Sequence, residues 1–414
     1  MRNLLLKLKE KFSNPIINKV LYWAILILLG LYAFSIPSFA GRVGFNFICY
    51  VLMALLIGST ILFLLLFKLD RKFDKRTLII FCFIISSLVG TITYSHQFRG
   101  LLTLFLLTIS FFAIYFAMMI VNNNKLIIRL ITIAFFIFAL YYLFTYKDNI
   151  LDYSSYKYDE FRLGWDFENP NTVGSFMTLA LSLSLYIVIF QNGWLRFLYI
   201  IPVFVFLLVG FTTGSRTFLI SLFIIAVCYI LFLFKKHFII ALSIIAGVSV
   251  LSVILINHVS FLATIKYRLD DTLKIFTNGG ASGSTLERIL WQRYGFYLAS
   301  RRLLFGFGES GFAYASGVMT YTHGNFTEML CDFGVIGFLL FYCFNVGPAF
   351  YVIFSDKKDK EYVFTILIVM LFNGLLSVYY YDKCTYVIMA LCYYLIDNAN
   401  PIVVRKKDFY EVSL

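Results

Sequence analysis

Stretches of about 20 apolar residues, each long enough at 1.5 Å per residue to cross roughly 30 Å of hydrocarbon, recur along this chain of 414 residues. They number about twelve and centre near Leu26, Leu55, Ser86, Ser110, Phe136, Leu183, Phe204, Ile225, Ala246, Leu339, Leu371 and Met389. Composition excludes a soluble fold: 61% of residues are hydrophobic and 14% charged, too few polar side chains to cover a water-facing surface. Phe (48) and Tyr (29) abound while Pro (6) is scarce, as in long uninterrupted helices. The expected fold is all-α, a single polytopic membrane domain over residues 1 to 414. The short 383 to 397 segment is its weakest span.

The net charge of +13 invites a nucleic-acid reading, but basic residues spread along so apolar a chain are better read as topology signals. With the N-terminus inside, most Lys and Arg fall in cytoplasmic segments: 1 to 19, 68 to 76, 122 to 129, 191 to 196, 235 to 237, 355 to 361 and the tail. The short outer loops then hold only Arg42, Arg99 and Lys383. Both termini are expected in the cytoplasm, and the first span reads as uncleaved because no small-residue cleavage site follows it. The seven cysteines lie in or beside apolar runs without a CxxC pair, which reads as buried thiols.

Two outer segments are too long to be simple connections. The first covers 147 to 171, and the second, between spans nine and ten, covers 257 to about 325. Both carry Trp, Tyr and Arg rather than a disordered composition, so function is expected on the outer face. Within the second, TNGGASGST (277 to 285) reads as a flexible connector. Mid-span ionisable residues of the kind transporters use are almost lacking. The charged groups sit at outer ends, at Arg216, Glu328, Asp332 and Asp382.

Three segments carry candidate chemistry. In the first, FRLGWDFENPN ends the first outer loop, and Asn171 reads as an N-cap for a helix starting at Thr172. The second is GSR, where Gly214 and Ser215 allow a tight reversal and Arg216 opens the next span, as a site residue or as an interfacial anchor. The third runs from 283 to 342. Its apolar Leu286, Ile289, Leu290, Tyr294, Tyr297 and Leu298 recur with helical spacing and predict an amphipathic helix along the membrane. Arg288, Arg293, Arg301 and Arg302 would lie near its polar side, where lipid head groups also attract arginine. Glu328 and Asp332 begin a helix, where acids complement the dipole. His96, His237 and His258 have no motif around them and read as interfacial.

Together these segments resemble signatures of the O-antigen ligase and polysaccharide polymerase superfamily, bacterial membrane glycosyltransferases acting on lipid-linked oligosaccharides. Arg162, Gly164, Asn169, Pro170 and Asn171 resemble its Arg-x-x-Gly-x-Phe-x-Asn-Pro-Asn stretch with one extra residue. Ser215 and Arg216 match its Ser-Arg pair, Arg288 and Trp291 its loop arginine and tryptophan, and Gly306 and Gly308 its Gly-x-Gly. His323, Gly334 and Gly337 match its histidine and following glycines, with Asp332 at the usual acidic position. The chain departs in having His323, Gly324, Asn325 for His-Asn, and Phe305 where Pro often stands.

The resemblance implies a GT-C-like helical fold in the bacterial cytoplasmic membrane, with an extracytoplasmic site and no cofactor or metal. The donor would be an oligosaccharide on a polyprenyl pyrophosphate, and the acceptor a second lipid-linked oligosaccharide. Arg216 and Arg288 would stabilise the leaving pyrophosphate, because guanidinium stays charged and binds phosphate bidentately. His323 would deprotonate the acceptor hydroxyl. Arg162, Asn171, Arg293, Asn325, Glu328 and Asp332 are the candidate contacts to pyrophosphate or glycan. The lipid bilayer, and a chain-length regulator and flippase of the same pathway, are the other implied partners, with no nucleic acid. A repeat-unit polymerase leads, with capsular or O-antigen-type polysaccharide as product. Alternatives are a ligase moving finished polymer to a terminal acceptor, a lipid-linked oligosaccharide flippase, and a non-enzymatic membrane subunit.

Overall fold

A computed structural model describes residues 15–42, 44–66, 78–151, 162–234, 283–318, 320–354 and 359–397. The span expected near Ala246, the connector at 277 to 282, the histidines His237 and His258, and much of the basic sequence expected in the cytoplasm lie outside the described residues. Among the described residues the chain is helical, without strands.

The principal helices are α1 (Pro15–Phe39), α2 (Asn46–Leu66), α3 (Leu78–Gly90, continued by a π turn through Ser95), α4 (Phe98–Val121), α5 (Asn124–Thr145) and α6 (Pro170–Phe190). They continue with α7 (Ile200–Thr212, entered through a 3-10 turn from Trp194), α8 (Arg216–Phe234), α9 (Gly283–Arg301), α10 (Asn325–Asn345), α11 (Lys360–Asn373) and α12 (Lys383–Asp397). Nine stretches among the described residues are long and apolar enough to cross a membrane. They bear out a polytopic helical membrane protein. α11 and α12, with 14 and 15 residues, are shorter.

The segment that looks weakest as a span proves to be the most enclosed helix. Every residue of α12 from Cys384 to Asp397 is buried. It packs on α4 and α10 through Tyr393, whose ring meets Phe111 edge-on at 5.6 Å and stacks on Phe344 at 5.2 Å. Its hydroxyl donates to the Phe344 carbonyl at 3.0 Å, and Tyr115 donates to Asp397 at 2.7 Å. A helix surrounded by protein need not be apolar all round, because neighbours satisfy its polar groups. Its low hydropathy therefore reports burial.

α10 is broken at Gly334, whose φ of 63° and ψ of −170° leave the helical region. The opened backbone pairs with the incoming loop. Phe307 and Gly308 donate to the carbonyls of Cys331 (2.9 Å) and Asp332 (2.7 Å), and Val335 and Ile336 donate to those of Leu303 (2.8 Å) and Leu304 (3.2 Å). Non-helical backbone inside a spanning segment is tolerated where protein satisfies it in this way. A Cβ on Gly334 would collide with the Leu304 carbonyl, and one on Gly306 would lie 2.5 Å from Asp332.

Candidate active site

The end of the first long loop lies against the bundle through Arg42. Its Nε donates to the Asp166 carbonyl at 2.7 Å, and its guanidinium covers the Phe167 ring at 4.1 Å. Asn169 then caps α6, its Oδ1 accepting from the Asn171 N–H at 3.0 Å, with Pro170 at the first helical position. The cap is Asn169 rather than Asn171, because proline suits the first turn, where its missing N–H costs nothing. That releases the Asn171 side chain, whose oxygen accepts from Arg162 Nη2 at 2.7 Å.

Arg162 also donates through Nε to the Thr213 carbonyl at 3.2 Å, and Leu163 N–H donates to Thr212 O at 3.2 Å. Thr213 and Ser215 are buried in the reversal between α7 and α8, where Gly214 takes a φ of 55°. Ser215 packs so closely on α6 that a Cβ on Gly174 would come within 2.8 Å of it. The Asn-Pro-Asn and Ser-Arg motifs are thus one structural unit, with the half-buried Arg216 directly following.

His323 reaches the same end from the other side of the sequence. It has a φ of 61°, in a region that costs a non-glycine residue about 1–3 kcal/mol and persists only where the surroundings enforce it. The enforcing contacts flank it. Thr322 N–H donates to Glu328 at 2.6 Å and Thr322 Oγ1 to the Gly324 carbonyl at 3.0 Å. Asn325 is fully buried, its oxygen accepting from Tyr379 N–H (3.0 Å) and Tyr380 N–H (3.1 Å) and its nitrogen donating to Tyr342 at 2.8 Å. Asp332, also fully buried, accepts from Phe312 N–H and from the Tyr380 hydroxyl, each at 2.9 Å. These three side chains bind the protein and are not part of the cavity wall described below.

α9 packs on this loop through a stripe in which Gly295, Leu298 and Ala299 are buried and Arg288, Trp291 and Gln292 half-buried. Arg288 therefore lies on the protein-facing side instead of the polar side expected, and four of the expected apolar positions, Leu286, Leu290, Tyr294 and Tyr297, are exposed. Gln292 donates to the Leu375 carbonyl at 3.2 Å. Arg288 faces Tyr321 and His323 closely enough to influence both. Arg293, Arg301 and Arg302 are exposed; Arg301 donates to Tyr297 at 2.6 Å, and Arg302 covers Tyr94 at 3.6 Å.

A cavity of about 470 Å³ opens between these elements, within the range of small-ligand sites. His323 and Asn171 both line it, with Glu168, Tyr321, Asp382 and Lys383. Arg216 and Arg288 are not part of its wall. Partial burial, helped by the positive charge of Arg288, pulls His323 down to about 4, so its imidazole is neutral at physiological pH. Burial pushes Glu168 upward, and burial with the neighbouring Glu168 carboxylate pushes Asp382 up to about 7. Among the described residues no three His, Cys, Asp or Glu side chains converge to hold a metal ion.

No motif in the sequence marks Glu168, Asp382, Lys383 or Tyr321 as a site residue, although Glu168 immediately precedes Asn-Pro-Asn and Asp382 immediately precedes α12. No curated protein matches the chain. A family model described as O-antigen ligase matches residues 201–342, from α7 through the Ser-Arg turn, α9 and the His323 loop into α10. The match spans the Ser215–Arg216, Arg288, Trp291, Gly306, Gly308 and His323 positions, and with the polytopic helical fold it supports the resemblance to the O-antigen ligase and polymerase superfamily of membrane enzymes.

Proposed function

We propose that the protein is a glycosyltransferase that polymerises polyprenyl-pyrophosphate-linked oligosaccharide repeat units at the outer face of the bacterial cytoplasmic membrane. The observation that carries this reading is the position of His323. Its neutral imidazole stands on the wall of a sugar-sized cavity, within electrostatic reach of the Arg288 guanidinium. A base with a cation in its electrostatic surroundings suits a reaction in which one oxygen loses a proton while another gains negative charge.

An acceptor hydroxyl attacks the anomeric carbon of the donor as the bond from that carbon to the pyrophosphate oxygen breaks. The hydroxyl proton passes to His323, and the lipid pyrophosphate leaves with its added charge held by Arg288 and Arg216. Attack opposite the leaving group inverts the anomeric configuration. Arg162 and Asn171 brace the turn that presents Arg216, while Asn325, Glu328 and Asp332 act as positioning residues for the His323 loop. Arg293 would touch only lipid or pyrophosphate at the exposed face of α9.

The deciding experiment supplies purified protein in nanodiscs with the lipid-linked repeat unit isolated from a strain lacking this gene. A ladder of products spaced by one repeat supports the polymerase. Transfer solely of preformed polymer to a terminal acceptor such as lipid A core supports the ligase, and movement of lipid-linked units across vesicles without a new glycosidic bond supports a flippase.

A further inference from the structure

We propose that the cavity beside His323 is the subsite for the terminal sugar of the acceptor glycan, and that Glu168, Asp382 and Lys383 select a sugar without a negative charge. The proposal rests on the glycosyltransferase reading and adds to it the location and chemical class of the acceptor.

The wall has the composition a sugar ring requires. Tyr50, Tyr321 and Tyr381 bring aromatic rings to the wall, and Asn169, Asn171 and Ser377 bring amide and hydroxyl groups. Carboxylates accept two hydroxyl hydrogens at once, which fits the adjacent hydroxyls of a pyranose. Glu168 is held in place, since its carboxylate lies against Gly41 where a Cβ would collide with it. Asp382 caps α12, its Oδ1 accepting from Cys384 N–H at 3.2 Å. The Lys383 ammonium lies 4.5 Å from the Tyr50 ring centroid. Each of these side chains already has a contact within the protein, and ordering before a ligand arrives lowers the cost of binding.

Charge separates acceptor from donor. Two carboxyl groups share the wall with one ammonium, so the wall has no excess positive charge with which to hold a pyrophosphate or an acidic sugar. The arginine, by contrast, stands on the Tyr321 and His323 side, off the cavity wall. His323 belongs to both surroundings, and a base must reach the hydroxyl it deprotonates. The sugar carrying that hydroxyl therefore occupies the cavity, and the lipid pyrophosphate lies toward Arg288. The high proton affinity of Asp382 lets it donate to a sugar oxygen as well as accept.

The test uses the full chain in nanodiscs with two probes. The first is the free oligosaccharide released by mild acid from the lipid-linked repeat unit of the deletion strain, which keeps its non-reducing end and has no phosphate. The second is farnesyl pyrophosphate. Glu168→Gln and Asp382→Asn are expected to weaken oligosaccharide binding about tenfold or more, the loss typical of removing a charged hydrogen-bond partner, and to leave farnesyl pyrophosphate binding unchanged. Arg288→Gln is expected to do the reverse. Asparagine caps a helix as well as aspartate, so unchanged thermal unfolding of Asp382→Asn separates binding from folding.

Unaltered oligosaccharide binding in both cavity variants overturns the subsite, as does an acidic sugar at the non-reducing end of the repeat unit. Polymerisation at the wild-type rate by both variants removes the subsite and leaves the glycosyltransferase reading intact. A wild-type protein that forms no glycosidic bond from lipid-linked units removes that reading and the subsite with it.

Discussion

Arg162 donates to the Asn171 amide oxygen at 2.7 Å while its Nε reaches the Thr213 carbonyl at 3.2 Å. One guanidinium thereby joins the start of α6, on the cavity, to the turn that precedes Arg216. Two motifs more than forty residues apart are tied together by this side chain, alongside the Leu163–Thr212 backbone bond and the packing of Ser215 on Gly174. Arg162→Lys, which keeps the charge but loses the planar fork, is expected to lower kcat about tenfold or more, as small displacements of catalytic groups do. A steady-state assay on the lipid-linked repeat unit checks it, and wild-type kcat would show that the brace is dispensable.

His323→Ala is expected to reduce polymer formation about 10²–10⁴-fold, the contribution typical of a general base, without loss of protein from the membrane. Polymer length and amount in a deletion strain complemented by the variant provide the measurement. Full-length polymer at normal yield would remove His323 from the reaction.

The acid limb of activity should lie below the usual histidine range. His323 is held near 4 by burial and by Arg288, so it remains unprotonated at pH values where an exposed imidazole of pKa about 6.5 is protonated. The folded chain binds fewer protons here than the unfolded chain between about 4 and 6.5, so this group favours folding more as pH rises through that window. The chain has four histidines, few enough to resolve by NMR with labelled imidazole. One signal should titrate near 4 and move upward in Arg288→Gln, and a titration near 6.5 in both proteins would contradict the geometry.

Gly334→Ala is expected to destabilise the protein by about 1–3 kcal/mol or more, since it combines a left-handed backbone with a clash against Leu304. Thermal unfolding in detergent should show a lower midpoint, with activity falling because the same break anchors the loop that precedes His323. An unchanged midpoint would mean that α10 can close its break without cost.

Asp332→Asn should be milder than Asp332→Ala. The buried carboxylate accepts from Phe312 N–H and the Tyr380 hydroxyl, and alanine leaves both donors unsatisfied at about 1–3 kcal/mol each. Tyr380→Phe removes one of the two bonds and should fall between them. Unfolding midpoints of the three variants, ranked in that order, are the check.

Hydropathy alone carries the helical membrane fold, because a continuous apolar run of about 20 residues fits a helix that satisfies its own backbone in hydrocarbon, whereas barrel strands are shorter and alternate, and the motif spacings single out His323, Arg216 and Arg288 before any coordinates. Three matters required the tertiary structure. The short α12 reads as a poor span, yet it is wholly enclosed by helices distant in sequence, a fact no window of residues contains. Asn325, Glu328 and Asp332 look like substrate contacts by their place in the motif, but burial turns them toward backbone amides and Tyr380. Glu168 and Asp382 lie on separate connections more than two hundred residues apart, and only the meeting of helix ends puts them on one wall with His323. A sequence records which groups are present, and the packing of helix ends decides which of them share a cavity.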